Sequence, residues 1–223
     1  MTATTQSYIA SIAIFFPLIT VVVRKKYLSK ELKILFLYLI SSTIDEVLGN
    51  VWAKVLHLPN HFIINTFATL ECILISLIFY EIFIAKDLKR IVLVSIGIYV
   101  LICIYVFTIL DNFYRFSSII NTVSCLLIIV WVFTYFYQLL QIPQLIKLYA
   151  LPMFWISVGC LLYFSGTLFI FLYSEKILFQ KEPILYKQLW TIYYVLLFIF
   201  RVLLAIGLWF SKTSFQLSKS FSN

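Results

Sequence analysis

The chain is 223 residues long, 63% hydrophobic and 19% aromatic, with only 12% charged residues and a net charge of +8. A soluble domain is about 45–50% apolar and about 25% charged, and a core of this size cannot hide so much apolar surface, so the bilayer is the solvent and the predicted class is an all-α polytopic membrane protein. The positive balance comes without a basic run interleaved with aromatics, which argues against nucleic acid as a partner.

The chain opens on MTATTQ, with neither a basic n-region nor a small-residue cleavage site ahead of Phe15-Phe16-Pro17. The first apolar stretch therefore reads as a span and not as a removable signal peptide. A hydrocarbon core about 30 Å thick needs about 20 apolar residues in a helix. Seven segments meet or approach that length: 7–23, 34–53, 62–84, 91–110, 119–140, 151–173 and 189–210. Phe, Ile, Leu and Val fill them without strict alternation, which excludes barrel strands. The connections 24–33, 54–61, 85–90, 111–118, 141–150 and 174–188 are brief and polar, the last being the longest, and none can hold a soluble domain. The tail 211–223 is Ser/Lys-rich and expected to fray. The expectation is one transmembrane domain over 1–223, a single bundle of seven helices.

Lysine and arginine orient the bundle. Eleven fall at one end, five of them in the first connection; five fall at the other, namely Lys54, Arg115, Lys176, Lys181 and Lys187; Arg201 completes the seventeen. The richer end is expected in the cytoplasm, with the N-terminus outside and the C-terminus inside. The expectation is a multi-pass protein of the cell (inner) membrane whose constant partner is the lipid bilayer.

Ionisable side chains near mid-span are the most informative feature. Asp45 is the twelfth residue of its twenty-residue span, with Glu46 beside it; Glu71 is the tenth of twenty-three and Arg201 the thirteenth of twenty-two. At 1.5 Å per residue they share one depth. Each charge costs about 2.5–3.5 kcal/mol on insertion scales, so such groups face the bundle interior and pair. Span 2 carries Tyr38, Ser41, Ser42, Asp45, Glu46, Gly49 and Asn50 on one broad helical face, which must point inward. The predicted site is Asp45, Glu46, Glu71 and Arg201 with Ser42, Tyr163 and Tyr194, formed by spans 2, 3, 6 and 7. Arg201 is expected to pair with Glu71 or with the Asp45/Glu46 pair. One reading is a ligand site; the other is an ion-paired lock that orients spans 2, 3 and 7 and binds nothing. Three acids against one guanidinium favour the first.

Span 6 begins with Pro152 in its first turn, where the missing N–H costs nothing. Gly159, Tyr163 and Gly166 share a face that permits close helix approach. Asn65, Asn121 and Ser124 are candidates for buried interhelical hydrogen bonds. The four cysteines, Cys72, Cys103, Cys125 and Cys160, lie inside apolar stretches without a CxxC pair and read as small buried hydrophobes. His57 and His61 flank Pro59-Asn60 and read as a turn. No ligand set for a metal or haem lies within the spans, and no cofactor is expected. A retinal protein would need a lysine mid-way along the last span, where this chain has Arg201. Pro143-Gln144 is similar to the Pro-Gln motif of PQ-loop carriers, but the matching connection 24–33 lacks it.

The segment His61-Phe-Ile-Ile-Asn-Thr-Phe-Ala-Thr-Leu-Glu71, with Pro152-Met-Phe-Trp-Ile-Ser-Val-Gly159 and Tyr163-Phe-Ser-Gly-Thr167, resembles a group of small uncharacterised seven-span bacterial membrane proteins. The resemblance spans most of the chain and implies the seven-helix fold without an activity. In size and span count there is a fainter similarity to lysoplasmalogenase-like membrane hydrolases, with no catalytic residue to carry over. The leading functional expectation is a small sensor or ligand-binding module for a small molecule or lipid, signalling through a separate protein at the cytoplasmic loops. The alternatives are a membrane-embedded lipid hydrolase using Asp45, Glu46 or Glu71 as general acid or base, and a small-solute carrier.

Overall fold

The computed structural model describes residues 3–58, 60–110, 116–141, 148–180 and 183–212, and among these every regular element is helical. The principal helices are α1 (Ala3–Ile12), α2 (Phe15–Arg24), α3 (Lys30–Asn50), α4 (His61–Ile82), α5 (Lys86–Thr108), α6 (Ser118–Gln141), α7 (Pro152–Gln180) and α8 (Pro183–Trp209). Among the described residues, seven helical segments are long and apolar enough to cross a membrane. The first of them, Tyr8–Tyr27, takes in the second half of α1 and the whole of α2.

Pro17 explains that division. It has no N–H to return to Ala13, and its ring crowds the preceding turn. The Ala13 carbonyl instead accepts from Phe16 N at 3.2 Å, and regular bonding resumes with Leu18 N donating to Ile14 O at 3.3 Å. Within the break, Ala10 O and Ser11 O accept from Ala13 N and Ile14 N, both at 3.2 Å. At the far end of α3, the helix widens into a π-helical turn, Val51–Val55. His57 follows with φ 54°, a left-handed turn residue.

Two connections differ from expectation. The stretch 174–188 is largely helix: α7 continues to Gln180 and α8 begins at Pro183. Glu, Lys, Ile and Leu in that stretch propagate a helix readily, and Pro183 occupies a first helical position, as Pro152 does in α7. Likewise α3 starts at Lys30, not 34, with Glu31 in its first turn. Residues 111–115, Pro143-Gln144 and the tail beyond 212 lie outside the described residues.

Packing turns the helices into a ring. Going round it, α2 packs on α3, α3 on α4, α4 on α6, α6 on α7, α7 on α8, and α8 on both α1 and α2. The α5 helix stands outside, against α4 and α6. It buries a single stripe, Val92, Tyr99, Cys103 and Val106, and the Tyr99 hydroxyl reaches Ala68 O and Ile120 O at 3.5 and 3.4 Å. Its other faces expose Ile91, Val94, Ile98, Leu101 and Ile104, the apolar surface that a lipid contact requires.

Glycines set the closeness of α7 and α8. A Cβ at Gly159 would lie 3.1 Å from Phe200 Cδ2, and one at Gly207 would lie 2.8 Å from the Pro152 carbonyl oxygen. At the same interface Tyr163 stacks on Phe200 with centroids 4.9 Å apart and planes at 8°. The α2–α8 contact is capped by Arg24, whose guanidinium sits 4.1 Å from the Trp209 ring centroid, a cation–π pair. All four cysteines are buried and unbridged.

Candidate functional site

The ring encloses a cavity of about 280 Å³. Asp45, Glu46, Glu71, Arg201, Ser42, Tyr163 and Tyr194, the seven residues singled out from the sequence, all line it. On α3 the lining runs Tyr38, Ser42, Asp45, Glu46, Gly49 and Asn50, the inward stripe that steps of three and four produce. From α4 come Ile64, Phe67, Ala68 and Glu71, again one face. The wall also includes Tyr8 and Ser11 of α1, Phe116, and Asn121 of α6. The predicted site does not include these two helices, although Asn121 is among the candidate buried amides, since neither carries a charged residue at that depth.

Arg201 is 4% exposed and meets two elements at once. Its Nη2 pairs with Glu46 Oε1 at 2.5 Å, while Nη1 donates to Ala10 O at 2.6 Å and to Ser11 O at 3.5 Å. These carbonyls lie in the last turn of α1, where a partial negative charge accumulates; each already accepts a 3.2 Å bond, from Ala13 N and Ile14 N respectively, and meets the guanidinium with its second lone pair. A cation there is favoured twice, by the carboxylate and by the helix end.

Glu71 has a different partner. The Tyr38 hydroxyl donates to Glu71 Oε1 at 2.8 Å. Of the two expected pairings for Arg201, the Asp45/Glu46 pair supplies the partner, through Glu46 alone. Asp45 is one residue earlier, about 100° round the helix, and its Oδ1 is buried with no hydrogen-bond partner among the described residues. The site therefore has one neutralised ion pair and two further acids on the facing helices α3 and α4.

Aromatic rings make the opposite wall. Tyr163 donates to the Tyr193 hydroxyl at 3.3 Å. Tyr193 in turn packs edge-on against Trp190 at 5.2 Å and Tyr194 at 5.5 Å, and tilted against Phe171 at 6.3 Å. Phe67 and Tyr38 stack at 6.3 Å across α3 and α4. Such interlocked rings are fixed by their neighbours and present preset faces.

The buried amides have local duties. Asn65 Oδ1 accepts from Ser117 N at 3.2 Å, tying α4 to the start of α6. Asn121 Nδ2 donates to Ser117 O at 2.8 Å, within its own helix start, while facing the cavity.

Along α3 the lining extends from Tyr38 to beyond Asn50, reaching Ala53, with Asn60 beside it. At 1.5 Å per residue this is about 20 Å. The cavity thus rises from mid-bundle to the end that carries the α3–α4 connection. Comparison with protein families, with curated proteins and with solved structures finds no match to the chain.

Proposed function

We propose that the protein is a ligand-binding sensor module of the cytoplasmic membrane, with its N-terminus outside, its C-terminus inside, and a small molecule entering the cavity from the outer side. The signal passes to a separate protein at the basic loops of the inner end. One observation carries this reading: Asp45, Glu46, Glu71 and Arg201 border a shared cavity of about 280 Å³. A purely structural lock would close its charges against one another and fill the volume between them. Here Asp45 Oδ1 has no partner among the described residues. The volume is near the lower end of ligand sites, which run from about 300 to 1,000 Å³, so the fitting ligand is small.

Access is the test. In a background with the four native cysteines replaced, Ser42→Cys is treated from outside with a membrane-impermeant thiol reagent. Labelling from the outer side supports the reading. Protection from both sides would make the cluster a sealed lock.

The unpartnered Asp45 oxygen favours a second reading, an enzyme acting on lipid with Asp45 as general base. Release of free fatty acid from defined phospholipid or lysolipid vesicles, lost in Asp45→Asn, would replace the sensor by this enzyme.

A further inference from the structure

The charge arrangement of the cavity selects among ligands. Arg201 is engaged by Glu46 and by the end of α1, so its positive charge is compensated before any ligand arrives. Asp45 and Glu71 remain. Glu71 is 8% exposed and accepts a hydrogen bond from Tyr38 through Oε1. Asp45 Oδ1 is buried without a hydrogen-bond partner among the described residues. Both border the cavity, on helices packed against each other. Among the described residues no lysine lines the cavity. An anion would meet two carboxylates and a guanidinium already paired, and like charges at low dielectric repel strongly.

The remaining walls fit a carbon-bearing cation better than a bare ion. Tyr38, Phe67, Tyr163, Trp190, Tyr193 and Tyr194 all line the cavity. Ring faces attract ammonium groups, most strongly where water is excluded, and aromatic cages are a recurrent solution for quaternary nitrogen. Among the described residues no group of three or more His, Cys, Asp or Glu is arranged to hold a metal ion, and about 280 Å³ far exceeds what one ion fills.

Resting on the ligand-binding reading above, we propose that the cavity takes a small organic cation, an amine or quaternary ammonium compound. Its nitrogen sits between Asp45 and Glu71, and its carbon body lies against the Tyr163–Tyr193–Trp190 wall. The Arg201–Glu46 pair is the fixed corner that keeps the second carboxylate of α3 from competing for the same nitrogen.

The test measures thermal unfolding of the full chain in nanodiscs against matched probes. Phenethylamine and choline are the cations, 2-phenylethanol and 3,3-dimethylbutanol their neutral counterparts, and 3-phenylpropionate the anion. At least one cation should raise Tm saturably, with its neutral counterpart about 30-fold weaker and the anion without effect. Glu71→Gln and Asp45→Asn should each weaken that cation about tenfold or more; Asp45→Asn serves if the first variant fails to fold. Equal binding of neutral probes, preference for the anion, or insensitivity to both substitutions would overturn the cation assignment. So would the absence of saturable binding by either cation while Ser42→Cys is labelled from outside, which leaves the cavity reading standing. Protection of Ser42→Cys from both sides would overturn both.

Discussion

Arg201 and Glu46 are joined at 2.5 Å across 155 positions of sequence, while Glu71, expected at the same depth, is held by Tyr38 instead. The two acids therefore belong to different units. One unit closes the angle between α1, α3 and α8; the other joins α3 to α4. This division gives separate and opposite expectations for mutations that would look equivalent on a list of buried charges.

Breaking a buried pair from one side costs about 3–5 kcal/mol, whereas removing both members can be nearly neutral. Arg201→Leu and Glu46→Leu should each show that loss in reversible unfolding in mixed micelles. The double variant should recover most of it, falling short by about 1 kcal/mol because Ala10 and Ser11 lose a donor. Arg201→Leu combined with Glu71→Leu should be additive; strong coupling between those two would show that the arginine has the other partner.

Tyr38→Phe keeps the ring and removes one hydroxyl. A buried acceptor left unmatched costs about 1–3 kcal/mol, so a loss of that size is expected, with the Phe67 stacking intact. The same loss should shrink when Glu71 is already leucine. An unchanged stability in Tyr38→Phe alone would mean that the hydroxyl does not hold Glu71.

Gly207 and Gly97 make a paired test of helix approach. A Cβ at Gly207 meets the Pro152 carbonyl oxygen at 2.8 Å, which is backbone and cannot swing aside, while at Gly97 nothing lies within 4 Å. Gly207→Ala should cost about 1–3 kcal/mol by overpacking. Gly97→Ala should be neutral or stabilising by up to about 1 kcal/mol through helix propensity. Similar effects at both positions would contradict the α7–α8 geometry.

Orientation can be read by labelling single cysteines in a background lacking the native four. Cysteine at Lys86 or Lys212 should react only from the cytoplasmic side, and cysteine at His57 only from outside. The reverse pattern would invert the bundle and place the mouth of the cavity in the cytoplasm.

Much of the architecture follows from one-dimensional information. Runs of about 20 apolar residues make helices long enough to cross a bilayer because every backbone group in lipid must be satisfied within its own segment. The stripe Tyr38, Ser42, Asp45, Gly49 is visible because helical period sorts residues by face, and the common depth of Asp45, Glu71 and Arg201 follows from a fixed rise per residue. The extra helix in 174–188 could have been anticipated from its Glu, Lys and Leu content and from Pro183, a signal outweighed by its polarity.

Depth says nothing about azimuth or helix order, and these the tertiary structure decided. Whether Arg201 takes Glu46 or Glu71 depends on α8 standing beside α1 and facing α3, which only helix packing determines, including the close approach at Gly159 and Gly207 and the Phe200 ring between α7 and α8. The carbonyls of Ala10 and Ser11 could not be recognised as partners from residue identity, since every residue has a carbonyl and only the placement of α1 beside α8 brings these two to Arg201. The cavity is likewise a property of the closed ring. It exists because six spans meet around a volume that their inward side chains do not fill, and no single helix carries a record of that.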